Sequence, residues 1–177
     1  MKIDIFNTDK KYNIIYADPP WKYKTYSDRN VCPYPVMKDE DIYKLPVKNL
    51  AADDSVLFMW VTFPKLITGI KAIEEWGFTY KALGFAWTKK NKKADSWFWG
   101  QGHWTRRNTE VCLLATKGHP KRESKGVHCV VDTRIEAHSK KPDIVRERIV
   151  ELLGDLPRIE LFARQYADGW DCWGNEV

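Results

Sequence analysis

No run of about 18 apolar residues occurs in the chain, which argues against a helix that crosses a membrane. The opening residues MKIDIFNTDKK lack the apolar centre of a secretory signal. Cysteine is sparse: Cys32, Cys112, Cys129 and Cys172 stand far apart with no CxxC pair. A zinc site or small disulfide framework is therefore not expected, and the plain reading is reduced thiols in a cytoplasm. The histidines, His103, His119, His128 and His138, are not at metal-ligand spacing either. Internal repeats and low-complexity tracts are missing. At 177 residues the expectation is one domain, 1–177, with little room for a second.

Apolar material is plentiful by contrast. The chain is 44% hydrophobic, enough for a core of ordinary size. Aromatics reach 14%, with nine Trp, and an excess of indoles suits a surface that grips planar groups. The net charge of +5 permits a polyanionic partner without demanding one.

Strand-like and helix-like segments alternate, which predicts an α/β layered fold, a mostly parallel sheet with helices on both faces. Asn13–Ala17 reads as a buried strand stopped by Asp18-Pro19-Pro20, because proline cannot donate to a ladder. Residues 22–38, with Pro33 and Pro35, read as a loop, and Asp39 as the cap of a short helix running to Leu45 and ended by Pro46. Ser55–Thr62 is a second apolar strand. A helix from Pro64 to Trp76 shows an apolar face of Leu66, Ile70 and Ile73, and Gly77 stands where it should end. Strands are predicted at Tyr80–Thr88, Glu110–Thr116 and His128–Arg134, with an aperiodic basic and aromatic loop over 89–108. Pro142 suits the first turn of a helix that Gly154 ends, and Arg158–Ala163 and Trp170–Trp173 read as the last strands. In such sheets chemistry sits beyond the carboxyl ends of strands, which points to Asp18–Trp21, the loop after Ala163 and the surroundings of Lys141.

Asp18-Pro19-Pro20-Trp21 is the strongest chemical signal. Two prolines stiffen the backbone, so that the Asp18 carboxylate and the Pro19 carbonyl become neighbouring acceptors beside the Trp21 indole. A planar group bearing an NH2, such as an adenine edge, matches that pair. A strand that merely ends in a Pro-Pro turn is the competing reading. In 89–108, Lys89, Lys90, Lys92, Lys93, Arg106 and Arg107 alternate with Trp97, Phe98, Trp99 and Trp104. Cations track phosphates and indoles stack on bases, against the blander reading of a solvated charge run. Lys22, Tyr23 and His103 join this set as candidate nucleic-acid contacts.

The Asp18–Trp21 tetrapeptide resembles the signature of the DPPW adenine-N6 methyltransferases, the MT-A-seventy family. The likeness continues through Leu57–Thr62, Gly102-His103-Trp104, Glu110–Leu114 with Lys117-Gly118, Ser139–Pro142, Ile159–Arg164 and Trp173-Gly174-Asn175. The resemblance implies a permuted Rossmann-like methyltransferase fold, with the catalytic motif first and the cofactor strand, Arg158–Ala163, late. It implies S-adenosylmethionine as cofactor, although no GxGxxG follows that strand. It implies that Lys141 meets the methionine carboxylate, that Arg164 and Asn175, with Glu176 beside them, contact the ribose, and that Asp4 and Ile5 hold the cofactor adenine. The likeness departs at Gln165-Tyr166-Ala167 and at Glu176, where Gln is common. The substrate it implies is nucleic acid, DNA ahead of RNA, with target recognition from loops, a second copy or a partner chain. An RNA enzyme and a catalytically silent binding partner are the alternatives.

Overall fold

The computed structural model describes residues 1–23, 35–137 and 140–177. Cys32, Pro33, His138, Ser139 and most of the predicted 22–38 loop lie outside the described residues. The strands are β1 (Tyr12–Ala17), β2 (Ala51–Val61), β3 (Thr79–Lys90), β4 (Thr109–Lys117), β5 (Val130–Arg134), β6 (Arg158–Leu161) and β7 (Asp171–Trp173). The helices are α1 (Asp39–Tyr43), α2 (Val47–Leu50), α3 (Leu66–Glu75) and α4 (Ile144–Leu153).

The seven strands form one sheet in the order β5-β3-β4-β2-β1-β6-β7. β1 and β2 are apolar throughout their centres because both faces are covered. Ile15, Ala17, Leu57, Met59 and Val61 pack with Ile42 of α1, Leu50 of α2 and Ile73 of α3. Ile14, Tyr16, Val56, Phe58 and Trp60 face the other way, onto Val145, Ile149 and Leu153 of α4. Helices thus cover both faces. Among the described residues none is long and apolar enough to cross a membrane.

One strand runs against the rest. β1 is parallel to β2 and β6, β3 to β5, and β6 to β7, while β4 is antiparallel to both β2 and β3. Periodicity predicts β4 but not its direction. A parallel neighbour requires a covering crossover, whereas 91–108 turns back on itself and returns beside the strand it left.

Smaller corrections follow from capping and packing. Asp39 does not cap α1: Lys38 holds the N-cap position, and both Asp39 oxygens accept from Lys65 Nζ, at 2.7 and 2.8 Å. The first helix stops at Tyr43 with Lys44 as its C-cap, short of the predicted Leu45, and Pro46 instead opens α2, a turn too short to carry a period. The segment predicted to start at Pro64 begins as a 3-10 turn, Phe63–Lys65. Pro142 stands one residue before the Asp143 N-cap of α4. Gly77 and Gly154 end their helices at φ +80° and +87°.

Candidate active site

The strand order reverses between β1 and β6: the chain leaves β1 toward β2 on one side and later returns to β6 on the other. A crevice opens at such a point, beyond the carboxyl ends. β1 delivers Asp18 there, β2 Thr62, β6 the stretch Phe162–Arg164, and β7 Gly174–Glu176. Because β4 runs backwards, its first residues reach the same edge, which brings in Glu110. Lys141 arrives from the approach to α4. Together they line a cavity of about 190 Å³, in which the Asp18–Trp21 motif faces the tail of the chain.

At the motif, Pro19 and Pro20 cannot continue the ladder. The Trp21 N–H donates to the Pro19 carbonyl at 2.9 Å, and Met37 N–H to the Pro20 carbonyl at 2.9 Å. The Pro19 oxygen keeps a second lone pair. Trp21 is 5% exposed and its Nε1 donates to the Trp60 carbonyl at 3.2 Å, so the indole is a fixed wall rather than a free plate. Tyr23 also lines the cavity, its hydroxyl 2.7 Å from Thr62 Oγ1.

Four charges alternate in a row. Lys141 Nζ donates to Asp18 Oδ2 at 2.7 Å and lies 3.3 Å from Glu110 Oε2. Glu110 Oε1 accepts in turn from Lys89. Asp18 Oδ1 is bonded to none of the described residues. Both lysines rest on indoles: Lys141 Nζ lies 5.6 Å from the Trp60 ring centre and Lys89 Nζ 4.7 Å from that of Trp87. Those rings meet edge to face at 6.4 Å, and Trp60 Nε1 donates to the Tyr16 hydroxyl at 2.6 Å. Burial pushes the Asp18 carboxyl up; Lys141 pulls it back without cancelling the shift, and Glu110 adds to the rise. For Glu110, burial is outweighed by Lys141 and Lys89, which hold it below the usual range. Burial alone would lower the Lys141 amine, but Asp18 and Glu110 hold it firmly charged.

On the tail side, Phe162 takes a left-handed φ of 61°, a conformation non-glycine residues seldom adopt outside constrained sites. Its ring meets Trp173 edge to face at 5.2 Å. At Gly174 an added Cβ would overlap the Ala163 carbonyl and amide, so the two chain segments approach as only glycine allows. Ala163 N–H donates to the Trp173 carbonyl at 2.9 Å and Arg164 Nε to Glu176 Oε1 at 2.8 Å. A second cavity of about 180 Å³ adjoins the first and shares Asp18, Lys141 and Arg164 with it; the Arg146–Glu160 pair, at 2.6 and 2.9 Å, forms another part of its wall.

Asp18, Pro19, Pro20, Trp21, Tyr23, Lys141, Arg164, Asn175 and Glu176 are thus brought together. Asp4 and Ile5 are not among the lining residues. Asp4 Oδ1 accepts from Phe6 N–H at 3.0 Å in a turn, and Ile5 is 3% exposed in the core. They run beside β7, where Phe6 touches Trp173 edge-on at 6.3 Å. Lys89 turns inward to Glu110, away from the surface track on which the sequence sets it, while Lys22, Lys93, His103, Trp104, Arg106 and Arg107 are exposed. Glu110, Trp60 and Gly174 are given no site role by the sequence, although each falls in a block of the likeness: Glu110–Leu114, Leu57–Thr62 and Trp173-Gly174-Asn175.

A sheet covered on both faces, with an acid–proline corner facing a glycine-turned tail across its switch point, is the layout of a Rossmann-like methyltransferase. The MT-A70 family model matches residues 12–176. The chain is 34% identical to the type II methyltransferase M.MunI of Mycoplasma sp, over 95% of this chain and 78% of that protein. It is 31% identical to the N(6)-adenosine-methyltransferase MT-A70-like protein of Drosophila melanogaster, over 94% of this chain and 27% of that one. It is 30% identical to the N(6)-adenosine-methyltransferase catalytic subunit METTL3 of Homo sapiens, over 94% of this chain and 28% of that one. The chain spans about a quarter of the length of these adenosine methyltransferases. It belongs to the MT-A70 family.

Proposed function

We propose that this chain methylates the N6 amine of adenine in DNA, with the Asp18–Pro19 oxygen pair receiving the amine and the tail of the chain seating S-adenosylmethionine. Membership of the family makes it an adenine-N6 methyltransferase of nucleic acid. DNA is favoured over RNA because the match spans most of a type II methyltransferase but only a quarter of the adenosine enzymes. The single observation that carries the site assignment is that the acceptor corner and the tail converge on one cavity.

The residues fit the cofactor. The close approach of Gly174 to the Ala163 backbone sets the cavity's tail-side wall, Asn175 offers donor and acceptor to hydroxyls, and the Lys141 ammonium suits a carboxylate. When bound, S-adenosylmethionine supplies an activated methyl group. The remaining work falls to the protein. An adenine amine is a weak nucleophile because its lone pair is delocalised into the ring. Hydrogen bonds accepted at Asp18 Oδ1 and at the Pro19 carbonyl favour a pyramidal nitrogen and free that pair. Asp18 must be ionised to do so, and Lys141 keeps it ionised against its burial. Trp21, pinned to Trp60, fixes the wall against which the base lies. Orientation of this kind is worth about 7–11 kcal/mol in favourable cases.

A duplex target must be turned out of the stack, at about a few kcal/mol. The exposed cations and indoles of 91–107 would grip the flanking strand, and a second copy or a partner chain would complete target recognition. Mass spectrometry of digests from DNA and RNA incubated with the chain tests the reading. N6-methyladenine in DNA is expected; methylation confined to RNA would overturn the DNA assignment.

A further inference from the structure

We propose that Trp104 is a wedge that enters the base stack of duplex DNA and fills the gap left when the target adenine is turned out. The inference rests on the nucleic-acid reading above and gives one of its residues a specific role.

The arm over 91–108 grows from the rim of the cavity. Lys89 N–H donates to the Asn108 carbonyl at 2.8 Å at its base, and the adjoining Glu110 lines the cavity with Asp18. Its first limb closes as a hairpin, with Asn91 N–H on the Ser96 carbonyl and Phe98 N–H on the Lys89 carbonyl, both at 2.9 Å. The second limb is braced still more tightly. A Cβ at Gly100 would overlap the Arg107 carbonyl and one at Gly102 the Thr105 carbonyl, while Arg107 Nε donates to the Gln101 carbonyl at 2.9 Å. Backbones pressed together this way make a stiff turn, and Trp104 stands at its apex.

The three exposed indoles of the arm differ in one respect. Arg106 covers Trp99 at 4.8 Å and Lys90 covers Trp97 at 5.7 Å. Trp104 is 93% exposed and, among the described residues, its one ring contact is with His103, edge-on at 5.4 Å and 88°. Both its faces are open. A ring this exposed adds little to the core, and the turn that mounts it is closely braced. Two open faces are what insertion between base pairs requires, and exposed Arg106 and Arg107 lie beside it to meet phosphates. Stacking a base on an aromatic side chain changes binding by roughly 10- to 100-fold, the scale needed to offset extrusion of one base.

The test uses a duplex oligonucleotide carrying the target site, identified by modification-sensitive sequencing of DNA from cells expressing the chain. With 2-aminopurine replacing the target adenine, binding of the wild-type chain should raise fluorescence as the base leaves the stack, with no cofactor needed. Trp104→Ala should lose that rise, and Trp104→Phe should keep most of it. In methylation assays, Trp104→Ala should lose about tenfold or more in kcat/KM on the paired duplex, yet match wild type where the adenine is mismatched. An undiminished fluorescence rise, or equal losses on paired and mismatched sites, would overturn the wedge while leaving the methyltransferase reading intact. A shift in sedimentation of Trp104→Ala with base extrusion unchanged would instead assign the indole to contact between copies. If sequencing finds no N6-methyladenine in those cells, the adenine-N6 reading has failed and the wedge, which rests on it, falls with it.

Discussion

Each end of the sheet holds an aspartate among cations, and the two behave oppositely. At the amino end, Asp171 opens β7. It accepts from the Tyr12 hydroxyl at 2.8 Å and from Lys10 at 2.8 Å, and lies 3.3 Å from the N-terminal amine. Burial alone would raise its carboxyl; those donors outweigh it and hold the group below the usual range. At the carboxyl end, Asp18 follows β1; among the described residues its one ion-pair partner is Lys141, which it shares with a second acid, Glu110. There burial wins and the carboxyl is raised. Three dedicated donors make a carboxylate that ties chain segments together. One shared donor leaves a carboxylate raised above its ordinary value, with an oxygen that no described residue binds, an arrangement that suits chemistry more than stability.

The largest effect expected from breaking this contrast is at Asp18. Asp18→Ala should lower turnover about 10³-fold or more, while circular dichroism and thermal melting show the fold retained. Full activity in that variant would remove Asp18 from the mechanism. In the wild type, activity should fall with acid through a midpoint higher than that of an ordinary aspartate, because protonation of a raised group sets the limb.

Glu110→Gln should come next. Loss of a charge-assisted contact is worth about 1.5–3 kcal/mol, roughly 10- to 100-fold in kcat/KM. The sign of the pH shift separates positioning from mere packing. Glu110 raises Asp18, and its loss also leaves Lys141 to Asp18 alone, so the acid limb of the rate profile should move to lower pH. An unmoved limb would mean that Glu110 acts only as filler.

The same contrast marks what was legible in the residues. The Asp18-Pro19-Pro20 corner is visible because proline breaks a ladder whatever surrounds it, and the helix ends at Gly77 and Gly154 for similar local reasons. The apolar runs of β1 and β2 reveal strands buried on both faces. The reversed direction of β4 is invisible, since it depends on how 91–108 returns, and so is the site role of Glu110, which β4's direction brings to the active edge. Lys89 reads as a phosphate-tracking cation because composition does not say which way a strand residue points; it points at Glu110. Asp4 and Ile5 fall beside the cavity rather than in it because the first residues pair along β7, with Ile3 N–H on the Cys172 carbonyl at 2.9 Å.

Two smaller perturbations sharpen the comparison from opposite ends. Gly174→Ala forces a methyl group into the Ala163 backbone. Overpacking of this size should weaken S-adenosylmethionine binding about tenfold by calorimetry and leave the amino end untouched. Asp171→Asn should do the reverse: kinetics unchanged, stability lower by about 1 kcal/mol. The pH dependence of that loss is fixed by the direction of the shift. A carboxyl lowered in the folded state contributes fully above its unfolded value, near 3.9, and ceases to contribute as pH falls through the folded one. The melting gap between wild type and Asp171→Asn should therefore be widest at neutral pH and close in acid. A gap that persists in acid would trace the loss to packing around Tyr12, and the amino-end aspartate would then owe its place to shape rather than to charge.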